Sequence, residues 1–539
     1  MDKKYFGVML DCSRNGIMNM QGLKRFIDTL HSFGYNMIQL YTEDTFEVDG
    51  EPYFGYLRGR YSKAELKEID GYCRQKGIEL IPCIQTLAHL NQMFRWSNEY
   101  DCINDVNDIL LVDDERTYTL IDNIIKTVRE CFTSDTLHIG MDEAHMLGLG
   151  KYLDLHGYKN RYEILNGHLK KVIEIAQKYG FKPIMWSDMY FRLINHGDYY
   201  FEKPFDKKAL EQVAKEIPNG VGQVYWDYYN TDRKMYDRMF KAHKILSNDV
   251  WFAGGAWTWS GFAPANKHTK ITMLPAMKEC KKHGINKIMF TMWGDNGTEC
   301  SRYGVLPSLY LLKRTYDGEN DLKKIKAEFK QITGEDFDAM MALDEPNLIC
   351  KTKNTSANPA KYVLYNDVML GYIDALLPDG GEKDFKRCAR RLSRFAKQSK
   401  NYGYVFDTLA KLCDLDAYKY TFGKELRSAY QAGDRDKLVK SIKTIDVMLK
   451  KLNAFHTALR KQWYIENKPF GFEVQDMRIG GVMRRLLTVK ELIEEYLDGK
   501  LSALLELDEQ LLDYRKDKNQ VLRFNDWLKI ASVASNQCP

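Results

Sequence analysis

His138-Ile139-Gly140-Met141-Asp142-Glu143 brings a short apolar run, residues 136–141, to an end on two adjacent carboxyl groups. The run reads as a short apolar strand. A carboxyl pair at such a strand end is unfavourable in itself. Each negative charge opposes ionisation of the other, and partial burial opposes both. The arrangement makes chemical sense where one carboxyl holds a proton near neutral pH while its neighbour stays charged. The plainer alternative is an acidic N-cap cluster opening the next helix. The rest of the chain decides between them.

Working outward, apolar strand-like runs at 5–10, 36–41, 78–84, 136–141, 182–187, 221–226, 250–256 and 287–293 alternate with amphipathic stretches such as 21–33, 63–76, 115–132, 162–178 and 269–283. Gly34, Gly77, Gly180 and Gly284 stand where helix C′ glycines belong, just before the next strand. Eight such repeats over ~300 residues spell an α/β fold, a (β/α)₈ TIM barrel over residues 1–315. A doubly wound open sheet is the competing reading, but no Gly-x-Gly-x-x-Gly follows the first strand. From residue 316 to 539 strand-like runs disappear. Helical periodicity dominates at 362–377, 385–399, 404–432, 434–463, 482–497 and 502–515, so an all-α C-terminal domain is expected, its charges on solvated faces. That domain is a candidate for a homodimer contact or a wall of the substrate cleft.

With 539 residues the chain exceeds one ordinary domain. A net charge of +5, with Lys and Glu interspersed, leaves no basic stripe for nucleic acid. No apolar run reaches the ~18 residues that cross a bilayer, so no membrane partner is expected. The first apolar run is too short for a signal-peptide core and is followed by Asp11 and Arg14. The eleven cysteines show no Cys-x-x-Cys or Cys/His ligand spacing. A cytoplasmic protein with reduced thiols, without metal or other cofactor, is the expectation.

In a barrel, chemistry gathers at the C-terminal strand ends. Read in order, those ends carry Asp11 and Arg14; Glu43 and Asp44; His89; Asp142 and Glu143; Trp186, Ser187 and Asp188; Tyr225, Trp226, Asp227 and Tyr228; Trp257 and Trp259; Trp293 and Asp295. Four ends bear tryptophan and the other four bear ionisable groups. Aromatic faces rimmed by charge suit a sugar ring, whose C–H faces stack and whose hydroxyls need polar partners. A small oligosaccharide substrate is therefore expected.

His-Ile-Gly-x-Asp-Glu resembles the His-x-Gly-Gly-Asp-Glu signature of family 20 glycoside hydrolases, the β-N-acetylhexosaminidases. Leu10-Asp11-x-x-Arg14 is similar to that family's first-strand Asp-x-x-Arg, and Trp293-Gly294-Asp295 to its Trp-Gly-Glu. The resemblance covers roughly residues 5 to 310. It implies exo-acting, retaining release of terminal β-linked GlcNAc or GalNAc, in which the substrate's own 2-acetamido oxygen attacks the anomeric carbon. Glu143 would be the general acid and then the base, and Asp142 would orient the acetamido group. Arg14 and Asp295 would bind ring hydroxyls. Trp186, Trp226 and Trp257 or Trp259 would wall the acetamido pocket, with Trp293 beneath the ring. His89 would form a supporting pair with Asp44 or Glu43. This chain departs from the pattern at Met141, where the family has glycine, and at Asp295, one methylene shorter than Glu. The family's seventh-strand Tyr has no match, leaving Tyr225 or Tyr228 to take its place. Both carboxyls can reach one sugar only if the strand ends or bulges at them, since successive strand residues face opposite ways.

Other readings compete for the same residues. Asp142-Glu143-Ala144-His145 spells a helicase DEAH box, but the phosphate-binding Gly-x-x-x-x-Gly-Lys-Ser/Thr is absent. A metal site on His138, Asp142 and His145 lacks the spacing of a helical His-Glu-x-x-His. A catalytically silent amino-sugar sensor on the same scaffold, or an enzyme removing GlcNAc from glycoproteins, stays open.

Overall fold

The computed structural model describes residues 3–295, 297–349 and 354–512. Eight parallel strands close into a barrel: β1 Tyr5–Asp11, β2 Met37–Thr42, β3 Glu79–Ile84, β4 Thr136–His138, β5 Lys182–Trp186, β6 Gly222–Trp226, β7 Val250–Gly255 and β8 Lys287–Met292. They are joined in sequence order, and β1 pairs with β8 from Tyr5 opposite Lys287 to Leu10 opposite Met292. Almost every strand position is buried, as expected where helices cover the outer face and side chains fill the interior. Ile38, Val224, Phe252 and Phe290 are fully enclosed.

The helices form for local reasons. Met20–Ser32 is capped by Asn19, whose side chain accepts the Gly22 N–H, and buries Leu23, Phe26, Ile27 and Leu30 as one stripe. Lys63–Gln75 opens on a capping box between Ser62 and Glu65. Gly34 follows the first of these with φ +82°, the left-handed geometry the sequence foretold. The expected strands are all present within two residues at each end, except the decisive one. β4 stops at His138, three residues early.

The chain forms two compact units. The first holds the described residues up to Ala256, then Thr269–Trp293 and Tyr310–Asn320, which together contain all eight barrel strands. The second holds Trp257–His268, the described residues of 294–309 and those from Asp321 onward. Helices Gly381–Gln398, Gly403–Gln431, Arg435–Glu466 and Phe472–Leu497 form its body, each packed on the next. Within this unit, Glu299 is buried between Lys361 (2.7 Å) and Arg478 (3.3 Å), and Ser301 Oγ donates to Glu466 at 2.6 Å.

Two helical expectations need correction. The helix expected over 362–377 is Pro359–Tyr365, followed by a separate 3₁₀ turn at Asp374–Leu376. Asn366 and Asp367 break it, because Asp367 accepts the N–H groups of Met369 and Leu370 and Asn366 bonds Ile373 and Asp374. In place of a helix over 502–515 there is one turn, Leu505–Asp508, while residues 513–515 lie outside the described residues. Among the described residues, no helix is long and apolar enough to cross a membrane.

Candidate active site

The site is built on the turn that ends β4. His138 is fully buried, and burial pushes its imidazole down to about 3, so the ring is neutral. Its Nδ1 accepts the Gly140 N–H at 3.1 Å, which curls the chain out of the sheet. Gly140, Met141 and Glu143 then adopt φ of +72°, +72° and +52°. For the two non-glycine residues this conformation stores about 1–2 kcal/mol each. Here lies the physical reason for the glycine that Met141 replaces: the position is left-handed.

Groups at and just beyond the ends of the neighbouring strands hold the turn by its backbone. Ile139 O accepts from Thr86 Oγ1 (2.8 Å), Gly140 O from the Trp186 N–H (3.1 Å), and the Met141 N–H donates to Gln85 Oε1 (3.2 Å). The Glu143 N–H donates to Asp188 Oδ2 at 3.2 Å. A Cβ at Gly140 would lie 2.1 Å from Gln85 Oε1, so that residue must be glycine. The strand therefore ends before its carboxyls, which satisfies the geometric condition set by the sequence.

One network controls their charges. Gln85 Nε2 donates to Asp142 Oδ1 (2.8 Å) and to the Tyr41 hydroxyl (2.9 Å); Tyr41 donates to Glu43 (3.0 Å), and Glu43 pairs with Arg14 (3.0 Å). On the other side His89 Nε2 lies 3.1 Å from Asp142 Oδ2 and 3.7 Å from Glu143 Oε2. Burial opposes the charge of both His89 and Asp142, yet their attraction prevails. His89 is pushed up to about 9, and Asp142, helped by Gln85, is held down at about 2. At neutral pH the pair is an imidazolium facing a carboxylate. Asp188 is the counterpart. Burial first, then the charges of Asp142 and Glu143, raise it to about 7. Its one ionic partner among the described residues is Arg192, 3.2 Å from Oδ2, and the same guanidinium lies 3.5 Å from Glu143 Oε1.

Aromatic rings complete this part of the site. Arg14 lies over Tyr41 (4.8 Å) and Trp293 (5.0 Å), Trp293 meets Trp186 at 6.3 Å, and Trp226 stacks on Tyr228 at 5.3 Å. The Tyr228 hydroxyl bonds Trp293 and feels the Asp142 charge. Two expected residues stand elsewhere. Tyr225 donates to Asp227 at 2.7 Å and packs on Phe240 and His243 of the helix Arg233–Leu246, on the outer side of the barrel wall. Tyr228 is thus the sixth-strand tyrosine that the structure brings to this group. Asp44 pairs with Arg58 at 3.2 Å; the partners of His89 are Asp142, Glu143 and, at 3.9 Å, Asp108. Trp257, Trp259 and Asp295 belong to the second unit, where the two indoles stack at 4.2 Å and Asp295 is half-buried. Gln85, Asp108 and Arg192 were missed because no local pattern marks them: Gln85 is the first residue past β3, Asp108 sits in the turn between the short strands Asn104–Val106 and Ile109–Leu110, and Arg192 lies in the helix Asp188–Ile194.

Two family models match the chain. The family 20 glycosyl hydrolase catalytic domain covers residues 4–203, and the glycoside hydrolase 20C C-terminal domain covers 335–525. Together they span well over half of the sequence, and the chain belongs to glycoside hydrolase family 20. It is similar to a β-hexosaminidase of Vibrio furnissii (25% identical over 238 residues, 36% of this chain and 38% of that one). A β-hexosaminidase of Akkermansia muciniphila is 25% identical over 286 residues, 43% and 58% of the two chains. Bovine hexosaminidase D is 24% identical over 260 residues, 45% and 66%. The chain thus spans from about a quarter to two thirds of the length of the curated relatives it matches. A solved family 20 exo-β-N-acetylglucosaminidase from Vibrio harveyi aligns with a TM-score of 0.46 at 15% identity, over 63% of this chain and 58% of that one.

Proposed function

We propose that the protein is an exo-acting β-N-acetylhexosaminidase that releases terminal β-linked GlcNAc or GalNAc from oligosaccharides with retention. The single observation that carries this reading is the left-handed turn at Gly140–Glu143, which sets an enclosed carboxyl and a more exposed one against one imidazole. Asp142 is the permanent anion, gripped by Gln85 and His89, and accepts the N–H of the substrate's 2-acetamido group. The acetamido oxygen attacks the anomeric carbon as the glycosidic C–O bond breaks, and Glu143 delivers its proton to the departing oxygen. The intermediate is an oxazolinium ion, whose positive charge the Asp142 carboxylate stabilises. Glu143, now a carboxylate, takes a proton from the water that opens this ion. Arg192 steadies that carboxylate from 3.5 Å, and Asp188 holds the Glu143 backbone. Arg14 offers its fork to ring hydroxyls beside the faces of Trp293 and Tyr41. Eight of the nine described cysteines are buried thiols, which supports a reducing compartment such as the cytoplasm.

The test is hydrolysis of matched chromogenic β-glycosides of GlcNAc, GalNAc and glucose. Release from the acetamido sugars alone is the expected result, and their ratio gives the 4-epimer preference. Equal release from glucose would overturn the participating acetamido group, and no release from any would favour a sugar-binding role.

A further inference from the structure

Two loops on the C-terminal face of the barrel carry aromatic side chains that the proposed chemistry does not use. The turn after β2 presents Tyr53 and Tyr56, each 43% exposed, and the segment after β3 presents half-buried Trp96. Their ring centroids lie 5.8 Å (Tyr53 to Trp96), 5.1 Å (Tyr56 to Trp96) and 6.0 Å (Tyr53 to Tyr56) apart. The three rings therefore make one continuous patch. Tyr53 and Trp96 also line a cavity of about 240 Å³ together with Arg95, Ser97, Asn98 and Glu99. Leaving large rings in water forgoes roughly 2 kcal/mol of burial for each, so clustering three of them at the surface calls for a reason.

The patch is preformed. Gly55, between the two tyrosines, sits so close to the chain that a Cβ there would lie 1.9 Å from the Asp44 carbonyl, and Arg58 pairs with the Asp44 carboxylate at 3.2 Å. Arg60 donates to the carbonyls of Pro52 and Phe54. The start of the segment bearing Trp96 is tied to Asp108, which receives the N–H of His89 on its carboxylate (3.0 Å) and that of Leu90 on its carbonyl (3.1 Å). Trp96 thus follows by seven residues the histidine that touches both catalytic carboxyls. Charge links them through space as well: Arg95 acts on Asp44, Asp44 on Glu43, and Glu43 on His89.

We infer that Tyr53, Tyr56 and Trp96 form a distal sugar subsite, which stacks a pyranose ring on the leaving-group side of the scissile bond. The inference rests on the proposed hydrolase reading and extends it to oligosaccharides of three or more sugars. Aromatic faces meet the C–H face of a pyranose, while the polar border of Arg95, Ser97 and Asn98 answers its hydroxyls. Three rings and a cavity of this size fit one sugar. They fall well short of the roughly 1,600 Å² that a stable protein interface buries.

The experiment compares the wild-type protein with Trp96→Ala and Tyr53→Ala on two kinds of substrate: an aryl β-GlcNAc, and β-linked GlcNAc oligomers of two to five sugars. For both variants, kcat/KM on the aryl glycoside should stay within about twofold of wild type. On the longer oligomers it should fall about tenfold, mainly through KM, and the wild-type gain with chain length should vanish. An unchanged length dependence would overturn the subsite, as would equal losses on both substrates. A change of oligomeric state in Trp96→Ala, read by light scattering, would assign the patch to contact between copies and overturn it too. Absence of turnover by the wild type on either substrate would refute the hydrolase reading instead. Calorimetric titration with the pentamer then decides the subsite separately: binding that Trp96→Ala abolishes supports it, and equal or absent binding overturns it.

Discussion

Replacing His89 with Gln removes the cation that faces Asp142, and its effect can be worked out in advance. In the folded protein His89 rises from the usual 6.5 to about 9, which corresponds to about 3 kcal/mol at 1.36 kcal/mol per tenfold change. Asp142 falls from 3.8 to about 2, a net effect of burial, His89 and Gln85 together that corresponds to about 2 kcal/mol. The two figures share one ion pair and are not summed; about 2–3 kcal/mol is the expectation. A histidine raised above its unfolded value contributes stability that is complete below pH 6.5 and is lost as the pH climbs through 9. At roughly 1.5 °C per kcal/mol for a unit of about 300 residues, thermal denaturation at pH 6 should place His89→Gln about 3–5 °C below wild type. At pH 10 the wild-type imidazole is neutral as well, so the gap should close. The assay is the midpoint of unfolding by circular dichroism, measured for both proteins from pH 6 to 10. A gap of the same size at both ends would mean that His89 matters only for packing, and the ion-pair argument would be wrong.

Further outcomes follow from the same geometry. Glu143→Gln should lower kcat by about 10²–10⁴ in a folded protein, the usual worth of a positioned acid–base group; normal turnover of a substrate with a poor leaving group would refute the assignment. Asp142→Asn should slow the acetamido sugars severely, since it neutralises the group that stabilises the oxazolinium ion, and a silent variant would dismiss substrate assistance. Gly140→Ala puts a methyl 2.1 Å from Gln85 at φ +72°, so it should cost about 2 kcal/mol and pull Gln85 off Asp142; an unchanged melting temperature would contradict the strained turn. Asp188 has a folded value of about 7, well above the usual 3.8, so keeping it charged penalises the fold increasingly as pH rises from 4 to 7 and fully above. Asp188→Asn should therefore gain stability relative to wild type between pH 5 and 8, and a pH-independent difference would show that the carboxyl does not titrate there.

Much of the molecule is legible in the chain alone. Barrel strands, helix stripes, caps and C′ glycines depend on residues within a few positions of one another, and so does the Asp142-Glu143 pair with its signature. The all-helical character of the C-terminal part follows in the same way, from periodicity. What the sequence could not supply is which distant groups meet once the barrel closes. Asp44 looked like the partner of His89, but the turn that carries it aims it at Arg58, and His89 faces the catalytic carboxyls. Tyr225 and Tyr228 were equivalent candidates until the strand, by ending at Trp226 between them, sent one hydroxyl to Asp227 and the other to Trp293. Nothing local marked Gln85 as the clamp on Asp142 or Arg192 as the neighbour of Glu143. The early end of β4 was hidden too, because it depends on Gln85 and Thr86 just past β3, and on Trp186 and Asp188 at and beyond the end of β5, holding Gly140 and Glu143 in left-handed backbone. Propensity and periodicity act between neighbours in sequence, whereas a charge or a strained turn is set by whatever closure of the barrel brings within a few ångströms of it.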